Sequence, residues 1–299
     1  INHIGQTHVI AGNLREALPN LMQGVHLAKT FDERELAAES QAYLAATHFM
    51  RGQYEEGQQA ATIGVEMATD LQRPARLGLS LMVIGGGLAF GGYVNGAEDY
   101  AKRSLAAFEQ STISNQTYIP RGTLGLVSWM RGKHSDAAEH LDRALNITLR
   151  NPMLPYVPLF SAVRGLVDLE FGMGEMALVR TRTAREWTQR TGQQTAHGVV
   201  LWVLGKIELK QETPDLVLVQ EHFSSARALF LELEHHPLAT ILRLDLVRLL
   251  IRRNQHDTAQ AEREAILERF QKYQMTYWHD LAERELSFLL QDVVEDEER

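Results

Sequence analysis

Cysteine is absent from this 299-residue chain. That removes disulfides, thiolate nucleophiles and cysteine-ligated zinc, and it suits a reducing compartment such as the cytoplasm. Proline is scarce, at 8 residues, and aromatics reach only 7%, which argues against an all-β or collagen-like chain. Cations are outnumbered, with 30 Lys and Arg against 38 Asp and Glu and a formal net charge of -8. Such a chain repels the nucleic-acid backbone, so direct nucleic-acid binding is not expected. A run of about 18 consecutive apolar residues, the length a membrane-spanning helix needs, is also missing. The longest apolar stretch, Leu77 to Phe90, is broken by Ser80 and by Gly85, Gly86 and Gly87. No basic segment followed by an apolar one opens the chain, so no signal peptide is visible. It begins at Ile1 without an initiator Met, and the sequence is expected to be a fragment of a larger multidomain protein.

What is present is an apolar fraction of 44%, enough for a sizeable core, and a repeat. Gly12, Gly52, Gly92, Gly132 and Gly172 are spaced forty residues apart. Seven residues before them lie Gly5, Ala45, Gly85, Gly125 and Gly165; five after lie Ala17, Gly57, Ala97, Ala137 and Ala177; twelve after lie Gly24, Gly64, Ser104, Ala144 and Ala184. Every one of these positions is small. Small residues let helix axes approach closely, which predicts, for example, that Gly125 and Ala137 face each other across a crossing. Each central glycine is expected in a turn between paired helices, where a left-handed backbone is cheap without a Cβ. Ile4, Leu44, Ile84 and Leu124 add one large apolar group per repeat, a pattern broken by Arg164.

This arrangement resembles the tetratricopeptide repeat (TPR) over nearly the whole chain. It continues through Trp202, Leu204-Gly205 and Ala226 after an insertion near Thr213-Pro214, and through Asn254 and Ala259. Val219, Val247 and Ile266 are larger than the pattern asks. A forty-residue unit is longer than the family's usual period of about 34. In that respect the chain is similar to the TPR regions of large bacterial transcription activators of the maltose-regulon-activator type and of cyclase-linked regulators. The resemblance implies an all-α, right-handed superhelical solenoid of about seven helix-turn-helix repeats plus a C-terminal capping helix, forming a single domain over 1-299. First helices are predicted near 1-11, 33-51, 74-91, 116-131, 156-171, 194-211 and 237-253. Second helices are predicted near 13-29, 53-71, 93-110, 133-149, 173-191, 214-233 and 255-273, with the closing helix near 275-294. Pro74, Pro120, Pro152, Pro155, Pro158, Pro214 and Pro237 fall at or near helix starts or between helices, where a missing N–H does least damage.

Chemical motifs are sparse. The twelve histidines show no HExxH pair or paired His-carboxylate helix motif, so no metal site is expected. His235-His236-Pro237 reads as an inter-repeat turn. Gly85 to Gly92 lacks the lysine of a phosphate loop and follows no strand, so helix packing is the reading and no nucleotide site is assigned. No GxSxG elbow is present, and neither catalysis nor a cofactor is expected. The cluster Arg180, Arg182, Arg185 and Arg190 reads as a solvated outer helix face, with an anionic partner as the alternative.

The resemblance implies that first helices line the concave side, where ligands are touched. Carried over by position, this yields an apolar groove of Tyr43, Phe49, Met50, Met82, Val83, Phe90, Leu126, Trp129, Met130 and Leu166, with Ala46, Gly86 and Thr123 among them and Arg121 and Asp168 as nearby polar groups. A large apolar strip marks a binding site if exposed. If the array curls tightly, the same residues pack on one another as core. The expected function is a non-catalytic regulatory module of a signalling or transcription-regulatory protein, binding a protein, a peptide or a neighbouring domain. The alternative is a small-molecule effector sensor.

Overall fold

The structure is a computed structural model that describes residues 1–111, 115–148 and 154–297, with side chains described through Leu286. Among the described residues it holds fifteen α-helices, one 3-10 turn at Asn115–Thr117 and no strand. The helices are α1 Asn2–Ala11, α2 Leu14–Thr30, α3 Arg34–Arg51, α4 Tyr54–Asp70, α5 Pro74–Phe90, α6 Val94–Glu109, α7 Tyr118–Met130 and α8 His134–Ile147, then α9 Val157–Glu170, α10 Gly174–Thr191, α11 Gln194–Leu209, α12 Leu216–Glu232, α13 His236–Arg252, α14 His256–Lys272 and α15 Thr276–Glu297. Seven helix pairs stack in chain order with α15 as the closing helix, an all-α helical-repeat solenoid. No helix among the described residues is long and apolar enough to cross a membrane.

The glycine ladder sets the turns. Gly12, Gly52, Gly92, Gly132 and Gly172 all adopt positive φ, from 71 to 95°, ending the first helix of a pair and releasing the chain into the second. Asn254 (φ 56°) does the same in the seventh unit, since Asn tolerates this region better than most residues. The inserted Thr213-Pro214 leads into Asp215, whose Oδ1 accepts the N–H groups of Val217 and Leu218 at 2.9 and 3.1 Å and caps α12. Pro74, Pro158 and Pro237 sit in first turns; Pro152 lies outside the described residues.

The expected pairing of small with small holds at some crossings, where a Cβ on Gly165 would meet Ala177 at 3.2 Å from its carbonyl oxygen, and fails at others. A Cβ on Gly125 would meet not Ala137 but Leu141, 2.5 Å from its Cγ. Gly5 likewise meets Leu21, Gly57 meets Phe49, and Gly205 meets Phe223. Each of these four glycines is a hole filled by a bulky side chain of the partner helix, which lets the axes come together. In the last two units Val219, Val247 and Ile266 are fully buried and occupy positions held by smaller residues earlier. Arg164, the exception among the apolar positions, is itself buried and pairs with Asp142 of α8 at 2.8 Å and with Asp168 one turn away.

Successive units curl until the chain meets itself. Glu234, in the turn before α13, pairs with Arg15 at 2.8 Å and Arg51 at 2.7 Å. Tyr93 donates its hydroxyl to the carbonyl of Tyr273 at 2.9 Å, Gln274 donates to Glu55 at 2.9 Å, and Tyr277 donates to the carbonyl of Met130. The glycine turns take part in this seam: Gly52 abuts Tyr273, and Gly92 abuts Met275 and Trp278. These residues lack room for a Cβ as well as needing positive φ.

Candidate binding cavity

The inner face is open in one part and closed in another. A cavity of about 440 Å³ lies between α3, α5, α7 and the start of α9, with Val9 and Ile10 of α1 at one side. Its walls follow the forty-residue period: Glu39, Leu79, Ile119 and Leu159 form one row, Tyr43, Val83 and Thr123 a second, Ala46, Gly86 and Leu126 a third, and Met50 and Phe90 a fourth. Met82, Tyr118, Tyr156 and Phe160 add to its apolar and aromatic walls, and the polar Asn115 and Gln116 also line it.

Of the residues expected in the groove, Tyr43, Met50, Met82, Val83, Phe90 and Leu126 line this cavity. The rest lie elsewhere. Phe49 is fully buried between Tyr54 and Tyr93, with ring centroids 5.8 and 5.7 Å away, and fills the hole at Gly57; it belongs to the core of its own helix pair. Leu166 is buried beside Val163, Val199 and Leu238, where α9, α11 and α13 meet. Trp129 and Met130 border a different, more polar cavity of about 360 Å³ against α11, α13 and α15. There the Trp129 ring packs edge-on against Trp202, centroids 6.2 Å apart. Arg121 does not reach the first cavity. Asp168 is buried and held by Arg164 and by Arg180 at 2.9 Å, so one member of the arginine cluster serves a helix-helix ion pair. Beyond Leu126 the sixth and seventh units curl in over the strip, so that Leu166 is core while Trp129 and Met130 border the second cavity.

Among the three consecutive glycines of α5, two are packing holes and one is not. Gly85 meets Tyr100 and Ala101, and Gly87 lies directly against the backbone of Ala46. Gly86 has nothing within 4 Å of where its Cβ would be, and it lines the cavity. A mid-helix glycine costs stability relative to Ala, and at this position it leaves space rather than accommodating a neighbour.

Sequence reasoning missed Glu39, Tyr118 and Tyr156. Glu39, Leu79, Ile119 and Leu159 stand forty residues apart, one helical turn before the row of Tyr43, so the periodicity itself carried the signal. Tyr156 precedes α9 in a left-handed conformation (φ 66°), with its N–H donated to Gln193 Oε1 at 3.0 Å; nothing local in the sequence marks that. Burial raises the phenol pKa of Tyr43, and Tyr156, Glu39 and Tyr118 raise it further, which places these four groups around one space. Burial likewise pushes Tyr118 and Tyr156 up, so all three phenols stay neutral.

The second cavity holds a closed charge network. Asp245 is buried and accepts from Trp202 Nε1 at 2.6 Å, Lys206 at 3.1 Å and Arg248 at 2.6 Å, and Arg248 also pairs with Glu285 of α15. Burial opposes ionisation of Asp245, but these cations and the indole N–H more than offset it and hold its carboxyl below the usual range. On the outer face of α15, whose Trp278, Ala282 and Leu286 are buried, His279 lies 3.8 Å from Glu283, one turn on, with Asp280 beside them. This is a His-carboxylate helix pair that the motif reading passed over, and it sits on a solvated face.

No protein-family model matches the chain, and no curated protein sequence matches it. Solved structures do share its fold. A Rap protein complexed with competence and sporulation factor aligns at 12% identity over 99% of this chain and 89% of that one, with a TM-score of 0.66. The Rap conjugation gene regulator of plasmid pLS20, in complex with the Phr* peptide, aligns at 14% identity over 90% of this chain and 74% of the other, TM-score 0.68. The apo form of RapI gives 13% identity, 95% and 97% coverage, and a TM-score of 0.60. The chain therefore has the TPR-like helical-repeat fold of these regulators.

Proposed function

We propose that the chain is a non-catalytic regulatory module of a signalling or transcription-regulatory protein, which holds a short peptide or a segment of a partner protein against α3, α5, α7 and the start of α9. The observation that carries this reading is the largely apolar cavity of about 440 Å³ at which Gly86 withholds a side chain. Two of the similar structures are complexes with a factor or a peptide, which supports the same use of the fold. The volume also suits an entire small effector, since ligand pockets run from roughly 300 Å³ upward; that is the second reading. Nothing in either reading requires a cofactor or a metal, and the net charge of -8 disfavours direct contact with nucleic acid.

The test is a selection of short peptides from a displayed library on the purified chain, with Gly86→Leu as the counter-screen. A Cβ at this position meets no atom within 4 Å, so a Leu side chain starts in open space and takes up room in the cavity. Peptides that bind the parent at micromolar concentration and lose binding to Gly86→Leu support the proposal. Failure to select any peptide, or equal binding to a folded Gly86→Leu variant, overturns it.

A further inference from the structure

Resting on that reading of the cavity, we infer that its ligand is an organic cation: an ammonium or guanidinium group on an apolar body, received among Tyr43, Tyr118 and Tyr156 beside Glu39. Among the described residues Glu39 is the only charged group that lines the cavity, and no basic residue lines it. The Glu39 carboxylate has no ion-pair partner among the described residues, although the chain pairs most of its inward-turned charges elsewhere, as at Asp168 and Asp245. Glu39 and Tyr43 are one turn apart on α3, and both line the same cavity as Tyr118 and Tyr156. The hydroxyls of Tyr43, Tyr118 and Tyr156 likewise have no hydrogen-bond partner among the described residues.

Three classes of ligand can be weighed against this lining. An anion would meet Glu39 and the negative faces of aromatic rings, with no cation to receive it. A neutral apolar molecule would strip water from a carboxylate and three hydroxyls and leave all four unpaired, a cost of the kind that excludes wrong ligands from polar sites. A cation with N–H groups pairs with Glu39, donates to the phenol oxygens and is attracted to the ring faces. The apolar body has its place too. Phe90 packs on Tyr156 with centroids 5.8 Å apart, Tyr156 lies 6.5 Å from Phe160, and Gly86 leaves room beside them.

The same cation can belong to a free amine or to a side chain of a peptide, and two pairs of probes separate these sources. The first compares phenethylamine with 2-phenylethanol, which has the same body without charge, by calorimetry or ligand-observed NMR at pH 7. The second compares pentapeptides that differ only in a central lysine or norleucine. A preference of about tenfold or more for the charged member of either pair is expected, and the pair that shows it identifies the source. Glu39→Gln is expected to reduce that preference to within about threefold, and Gly86→Leu to abolish binding of both members. Equal binding of charged and neutral members in both pairs, absence of binding by all four probes, or a preference unaltered in Glu39→Gln overturns the inference. Peptides selected on the parent that still depend on Gly86 would then leave the cavity's regulatory role standing without its cation preference.

Discussion

Arg51, at the end of α3, and Glu234, in the turn before α13, are paired at 2.7 Å and join the second repeat to the start of the seventh. Burial opposes the charge on Glu234, but its hydrogen bond from Arg15 and the charge of Arg51 outweigh that and hold its carboxyl below the ordinary carboxylate range. The folded value lies below the unfolded one, so the stabilisation is present above the unfolded value and is lost as pH falls through the folded one. Glu234→Gln should therefore be less stable than the parent at pH 7, by about 1 kcal/mol or less for a pair so near the surface. The difference should shrink as the pH is lowered from 7 through the ordinary carboxylate range to about pH 3. Urea unfolding of both proteins at the two pH values measures it; a difference that persists in acid would show that the pair does not act through charge.

Gly86 and Gly87 are neighbours with opposite roles. Gly86→Ala should stabilise the chain by about 0.5–1 kcal/mol, because the helix gains the propensity of alanine and no atom stands in the way. Gly87→Ala should destabilise by about 1–3 kcal/mol, because its Cβ would press on the main chain of Ala46, which cannot swing aside as a side chain can. Thermal or denaturant unfolding of the two variants gives the signs directly.

Much of this was legible in the sequence for a physical reason. A left-handed turn selects glycine, so Gly12, Gly52, Gly92, Gly132 and Gly172 announce the helix pairs at fixed intervals. The rows of the cavity share that period. Less legible was what each small residue faces: Gly125 looked suited to Ala137, yet space on one helix is filled by bulk on the next, here Leu141. The closure of the array was not legible at all. It arises from small rotations added over successive repeats, and Arg51 and Glu234 carry no mark of one another in the chain. That closure decides why Leu126 borders the first cavity while Trp129 borders the second and Leu166 is core.

His235 sits fully buried at the same seam, between the rings of Phe90 and Phe230 at 6.0 and 6.3 Å, and neither ring nitrogen has a hydrogen-bond partner among the described residues. Burial, with a smaller contribution from His236, lowers its pKa to about 3. The unfolded chain takes up the proton near 6.5 while the folded chain stays neutral, so stability is whole above that pH and is lost as pH falls towards 3. His235→Leu should be neutral or stabilising at pH 7, since it removes unsatisfied polar atoms. Its advantage over the parent should grow by about 2 kcal/mol between pH 7 and pH 5. An advantage that stays constant across this range would place the imidazole within reach of water.

Trp129 and Trp202 provide the measure of where the cavity ends. Their rings cross at 80° with centroids 6.2 Å apart, and both border the second cavity rather than the first. Trp129 is half-buried, so Trp129→Ala should cost about 2–3 kcal/mol, somewhat less than truncation of a fully enclosed aromatic, while altering the affinity of a ligand in the first cavity by no more than about twofold. Phe90→Ala should lower both stability and affinity, because Phe90 is buried and lines the first cavity. Trp202→Leu carries an added loss, since its indole N–H donates to the buried Asp245. That loss is common to both backgrounds of a double-mutant cycle with Trp129→Leu and cancels there, leaving a ring-ring coupling of about 0.5–1.5 kcal/mol. A coupling near zero would mean that the two indoles do not share a contact, and a large loss of ligand affinity in Trp129→Ala would extend the binding cavity into the seam.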